Sequence, residues 1–296
     1  MEKKTRFQNN IKNTQNLSSH NAQMTNSAHH ASHYEKFTRL IMVAVSLLTT
    51  STVNAFDHSH HEFNLLLKKY VTWELSGHNS TVDYSGFNED RAIMRDYLEK
   101  IAAVSENEFE TFNKEEQLAF LINVYNAYTV FWVSQHHENI DSIKDLGSLF
   151  NSPWKHKRFS LFGNIVSLDF IEHELIREKG RFDEPRIHMA VNCASISCPA
   201  LRPHAYRPST LDAQLHDNTI RFLSDNRRNH LKDGILYISP IFKWYKADFE
   251  QRSGSVLEWL SAYSSPLNKD LDFVNRDKIK IKYTHYDWSL NTRRRK

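Results

Sequence analysis

The sequence predicts an α+β fold: a mostly helical single domain with a buried central helix and a small, mainly antiparallel sheet. Three observations lead there. Residues 118–133 are apolar on every helical face, interrupted only by polar residues such as Asn123 and Asn126. Residues 62–75 and 89–104 carry apolar side chains at helical spacing. Short stretches within 158–168, 234–239 and 278–283 alternate as strands do. A papain/transglutaminase-like arrangement is one form such a fold can take.

Taken in order, the chain first shows an apolar run, residues 40–53, preceded by Lys36 and Arg39 and closed by Val53-Asn54-Ala55. Those small residues stand where a signal peptidase cuts. The uncharged span, 40–56, is short against the ~20 residues of a membrane helix. The expectation is a poorly ordered N-terminus with an export signal over 1–55, cleaved near Ala55, and one domain over 56–296. That places the protein in the periplasm or outside the cell with no stable membrane span, an uncleaved anchor being the alternative.

Asn113 and Glu116 form a capping-box pattern that opens the central helix. Asn123 and Asn126 lie three apart and so share a helix face. A buried amide without a partner costs about 1–3 kcal/mol, so each must be bonded. They either tie the helix to neighbouring loops or line a site, orienting an imidazole or binding an oxyanion. Residues 158–168 read as a hairpin with Gly163-Asn164 supplying positive φ at the turn. Ser167 or Asp169 starts the next helix, Ser209 caps another, and 256–263 is the last.

A net charge of +3, partly from the basic tail at 293–296, leaves no basic stripe along any element and excludes nucleic acid as the main partner. No Gly-rich phosphate loop, G-x-S-x-G elbow or H-E-x-x-H is present, which removes nucleotide-binding, serine hydrolase and zincin readings. His58, His60 and His61 near the new N-terminus read as coincidence rather than a metal site.

Chemistry concentrates around Cys193 and Cys198, the only two cysteines, which follow His188 in one short segment. A thiolate is the strongest side-chain nucleophile, and a nearby imidazole lowers its pKa. A local disulfide is the rival reading, and export strengthens it. A nucleophile needs a base. His188 stands five residues before Cys193, so the two meet only if the chain bends between them. His173 has no such constraint, and His285 ranks behind both. Asp287 either orients an imidazole or caps a turn. Ser195, Arg202, Trp244 and Trp288 are candidates for substrate contact, with ion pairing (Arg202) and core packing (the tryptophans) as the plainer alternatives. A zinc site using His173, His188 and Cys193 is a third possibility, although the cysteine spacing is loose for it.

Six ordered blocks carry a resemblance. They are Leu118–Ala127, Ser167–His173, Arg186–Ser195, Ser197–Arg202, Ser239–Tyr245 with Asp248-Phe249, and Tyr286–Asn291. Together, over roughly 62–291, they resemble the DUF547 family, a domain of unknown function. Leu121 stands where that family usually has Trp. Plant-type members keep the residue at Cys193 but tend to have Ser at Cys198, which implies a role for Cys193 apart from a disulfide. The resemblance supplies no reaction. The expectation is a cysteine-dependent hydrolase or acyl transferase acting on an unidentified small molecule or peptide. No cofactor or resident metal is expected. A non-catalytic binding or assembly module pinned by a Cys193–Cys198 disulfide is the alternative. If the site is real, Cys193, His188, His173 and the Asn123/Asn126 face converge on one concavity.

Overall fold

The central helix is set up by its first turn. Asn113 Oδ1 accepts from the Glu116 amide while the Glu116 carboxylate accepts from the Asn113 amide, closing the capping box the sequence announces. A computed structural model describes residues 55–148, 151–263, 267 and 279–293. The chain divides into two units, Met1–Thr52 and Val53–Lys296, and all described residues belong to the second. The apolar run at 40–53 lies outside them, as does the end of the basic tail. Among the described residues no helix is long and apolar enough to cross a membrane.

The domain opens with helix α1 (His61–Tyr70), a hairpin of β1 (Val71–Trp73) and β2 (Ser80–Val82), then α2 (Tyr84–Glu89), α3 (Arg91–Ala103) and α4 (Glu106–Phe109). The periodic stretch at 62–75 therefore yields a shorter helix than its pattern allows, because Val71, Thr72 and Trp73 leave the helix to pair with β2. The central helix, α5 (Lys114–Ser134), is buried almost all round, as its apolar faces require.

Next come β3 (Phe159–Leu161) and β4 (Asn164–Val166), antiparallel with Leu161 opposite Asn164. The two turn residues are thus Phe162 and Gly163, with φ of 52° and 72°, and not the Gly163-Asn164 pair read from sequence. Asn164 instead donates its side-chain amide to the Phe162 carbonyl. A short helix, α6 (Leu168–Phe170), starts from the Ser167 cap and widens into a π-helical turn, Ile171–Ile176. After a 3₁₀ turn at Pro185–Met189 and the cysteine loop, α7 (Leu211–Leu223) begins behind Thr210, Ser209 lying in a preceding 3₁₀ turn. The C-terminal part holds β5 (His230–Lys232), β6 (Ile235–Ile238), α8 (Ile241–Trp244), α9 (Lys246–Ser253), α10 (Val256–Ser261) and β7 (Lys280–Tyr283). In its sheet β6 pairs antiparallel with β5 and parallel with β7.

Helices thus dominate an α+β domain with small, mainly antiparallel sheets. Two apolar clusters fill it. One surrounds α5 and takes in Ile171, Ile176, Ile187 and Val191; the other gathers Met189, Phe222, Leu236, Phe242, Phe249 and Trp259. The segment around His188 alternates between them, so the seam between the two cores runs through it.

Candidate functional site

Three local departures from regular structure deliver the site. The π-helical turn after α6 advances the chain by an extra residue and places Glu172 and His173 side by side on one wall. Such turns recur at functional sites. The 3₁₀ turn at Pro185–Met189, capped by Glu184, presents His188 from below. Ala194 then takes a left-handed φ of 62°, with the Asn192 side chain bridging the Ala194 amide and the Pro199 carbonyl. That reversal folds the cysteine loop back on itself.

These walls enclose a cavity of about 250 Å³. His173, His188, Cys193, Trp244 and Trp288 line it together with Tyr125, Trp154, Glu172, Tyr245 and Tyr286. Five of the residues singled out from sequence therefore meet. The bend needed to bring His188 and Cys193 to the same cavity is supplied by the 3₁₀ turn.

Cys193 and Cys198 form a disulfide, with Cα atoms 6.1 Å apart. The Cys193 sulfur also lies 3.3 Å from Ser195 Oγ and 3.4 Å from the Tyr286 hydroxyl. Burial pushes the Tyr286 phenol up to about 12, so it stays protonated beside the sulfur.

The histidine is held by Asp248, a carboxylate that stands in one of the quoted blocks but to which the sequence assigned no role. His188 Nε2 lies 2.7 Å from Asp248 Oδ2, and Arg177 grips the same carboxylate through Nε at 2.6 Å and Nη2 at 2.9 Å. The Tyr245 ring stacks on the imidazole at 3.8 Å. Burial raises the Asp248 carboxyl, but hydrogen bonds from His188 and Arg177 outweigh it and hold the group well below the usual carboxylate range. Burial likewise lowers His188, with Asp248 opposing, so the imidazole is neutral near pH 7. Its proton then sits on Nε2 toward Asp248, leaving the Nδ1 lone pair without a partner among the described residues. His173 is engaged differently: Arg177 Nη1 donates to its Nδ1, and its Nε2 is 3.8 Å from Asp169.

The remaining candidates lie elsewhere. Asn123 donates to the Tyr206 carbonyl and accepts from the Tyr206 amide; Asn126 does the same with Ala190 and Asn192. Both amides clamp backbone through one donated and one accepted bond, and neither lines the cavity. The Asp287 carboxylate accepts from the Ser289 amide at 2.9 Å, closing a turn. Arg202 pairs with Asp217 at 2.5 Å. Among the described residues no group of three or more His, Cys, Asp or Glu is arranged to hold a metal ion. With both sulfurs in the disulfide, the zinc alternative lacks its thiolates. Glu172, Tyr125 and Tyr245 escaped the sequence reading. Each stands inside a quoted block, beside His173, between the two asparagines and after Trp244, and that adjacency was the available signal.

Residues 109–223 match the family described as "Protein of unknown function, DUF547". The match is shorter than the span of the resembling blocks and stops before Trp244, Asp248, Tyr286 and Trp288. No curated protein and no solved structure matches the chain.

Proposed function

We propose that this chain, whose residues 109–223 match the DUF547 family, is an exported thiol enzyme, a hydrolase or acyl transferase held latent by its Cys193–Cys198 disulfide. The observation that carries this reading is the Asp248–His188 pair, whose free Nδ1 belongs to a residue lining the same cavity as Cys193. A thiol reductant opens the disulfide, leaving two protein thiols and becoming oxidised itself. His188 Nδ1 then takes the Cys193 proton, and the thiolate adds to the acyl carbon of an amide or thioester-like bond. The leaving amine or thiol departs with that proton. Water or a second nucleophile releases the acyl group and regenerates the thiol. Tyr286, protonated beside the sulfur, and the Ser195 hydroxyl are the donors at hand for the developing oxyanion.

The disulfide itself favours a second reading, an exported binding module in which the bridge only pins the loop. Iodoacetamide with intact-mass detection separates the two. Unreduced protein should be lighter by two hydrogens and resist alkylation. After mild reduction Cys193 should be labelled near neutral pH faster than Cys198, and His188→Gln should abolish that advantage. Cys193 labelling no faster than an exposed thiol, unchanged in His188→Gln, would leave the binding reading standing. N-terminal sequencing of the exported form should begin near Phe56; a retained 40–53 segment would indicate an anchor instead.

A further inference from the structure

Glu172 is 5% exposed, lines the cavity, and its Oε1 has no hydrogen-bond partner among the described residues. A buried carboxylate oxygen left unpaired is costly, so it marks a place where a donor belongs. The local charge count points the same way. Asp248 is neutralised by Arg177, and the cavity is lined by Asp169 and Glu172 but by no lysine or arginine among the described residues. Glu172 thus has no lysine or arginine beside it on the cavity lining among the described residues. The Tyr125 and Tyr245 hydroxyls hydrogen-bond to this carboxyl and, after burial, are raised by it; Oε1 is the oxygen left without a partner.

Three tryptophans, Trp154, Trp244 and Trp288, also line the cavity. Trp288 lies 5.6 Å from Trp154 and 5.8 Å from Trp244, ring centre to ring centre. Their faces attract cations. Trp288 already receives one, the Lys144 ammonium at 3.9 Å from its centre, although Lys144 does not line the cavity. At about 250 Å³ the space is below the roughly 300–1,000 Å³ of drug-sized sites, so it admits a single side chain or small molecule.

We infer that the cavity binds a primary ammonium group, with Glu172 Oε1 accepting its N–H and the Trp154, Trp244 and Trp288 rings flanking its alkyl stem. A quaternary ammonium would satisfy the charge but not the orphaned acceptor. The inference rests on the proposed function for its consequence: the amine is the group that acyl transfer releases or accepts. Its test does not depend on that chemistry, because it uses the oxidised protein, in which Cys193 cannot react.

Oxidised full-length protein is titrated at neutral pH by tryptophan fluorescence and calorimetry with n-butylammonium, N-acetyl-lysine methylamide, tetramethylammonium and 1-pentanol. The first two distinguish a free amine from a lysine side chain, and saturable binding of either supports the inference. Tetramethylammonium and 1-pentanol should bind at least about tenfold more weakly. Glu172→Gln should weaken amine binding by about tenfold or more, while an unchanged melting temperature shows that the fold is intact. Equal affinity for 1-pentanol and n-butylammonium overturns the proposal, as does an amine affinity unchanged in Glu172→Gln. Absence of saturation by either amine overturns it too. Should Glu172→Gln fail to fold, the wild-type preference for amine over alcohol still decides. A failure here leaves the thiol chemistry untouched, and unreactive Cys193 leaves amine binding untouched.

Discussion

Asp248→Asn tests the centre of the site. The carboxylate accepts from His188 at 2.7 Å and from Arg177 at 2.6 and 2.9 Å. Asp248 and Arg177 are 26% and 20% exposed and His188 1%, so solvent screens these bonds only in part. Hydrogen bonds to charged groups contribute about 1.5–3 kcal/mol, and removing one partner of a buried ion pair costs about 3–5 kcal/mol. Asparagine keeps neutral versions of some bonds, so a loss of roughly 2–4 kcal/mol is expected, read by urea unfolding of the oxidised protein at neutral pH. The loss must depend on pH. With its folded pKa depressed, Asp248 contributes stability above its unfolded value of about 3.9, and that stability is lost as pH falls through the folded value. His188, also lowered in the fold, favours the native state fully above about 6.5 and progressively less below it. The curves of wild type and variant should therefore converge toward acid. After reduction, the side-chain amide that Asp248→Asn introduces can donate an N–H to Nε2 and drive the imidazole proton onto Nδ1, so Cys193 alkylation should slow by about tenfold or more. A stability loss under about 0.5 kcal/mol, or a gap constant with pH, would refute the ion-pair reasoning.

Cys198→Ser should expose Cys193 to iodoacetamide without reductant and cost about 2 kcal/mol by opening a short loop, measured by thermal unfolding. Asn126→Ala removes the clamp on the Ala190 carbonyl and Asn192 amide; with two buried groups left unpaired, roughly 2–4 kcal/mol should be lost in urea titration. His60 is buried, bonded to Tyr97 at 2.7 Å, and lowered from 6.5 to about 3, chiefly by burial. Its stabilisation is complete above 6.5 and erodes below, by roughly 3 kcal/mol at pH 4 at about 1.36 kcal/mol per unit. His60→Phe should flatten that part of the acid titration.

What the sequence made legible was local. Asn113 and Glu116 are three residues apart, and no tertiary contact is needed to recognise their cap. The apolar faces of α5 likewise announced burial, and the cost of an unpaired amide told that Asn123 and Asn126 were bonded. To whom could not be read, because their partners at 206, 190 and 192 lie 64–83 residues away. Asp248 was named in a quoted block, but its role could not be read for the same reason: 60 residues separate it from His188. The hairpin was seen but its turn was misplaced by one residue, since Phe162 at positive φ defies the preference that favoured Asn164. Strands β1, β2 and β5 are three residues each, too short for alternation to register.

The position of the cavity explains why so many of its features escape local rules. Ile187 and Val191 belong to the core around α5, whereas Met189 between them belongs to the C-terminal core. Ile187 and Val191, four residues apart, face one core and Met189 the other, so the 3₁₀ turn at Pro185–Met189 lies between the two. His188 is thereby fixed at the seam, where Asp248 from α9 reaches it. The DUF547 match, residues 109–223, supplies Glu172, His188 and both cysteines but not Asp248 or Trp288. A fragment cut to the matched span would keep the histidine and thiols yet lose the carboxylate that sets the tautomer and the ring that Lys144 covers. The site therefore depends on both cores docking, and any perturbation that loosens the seam should unbalance His188 before it unfolds either core.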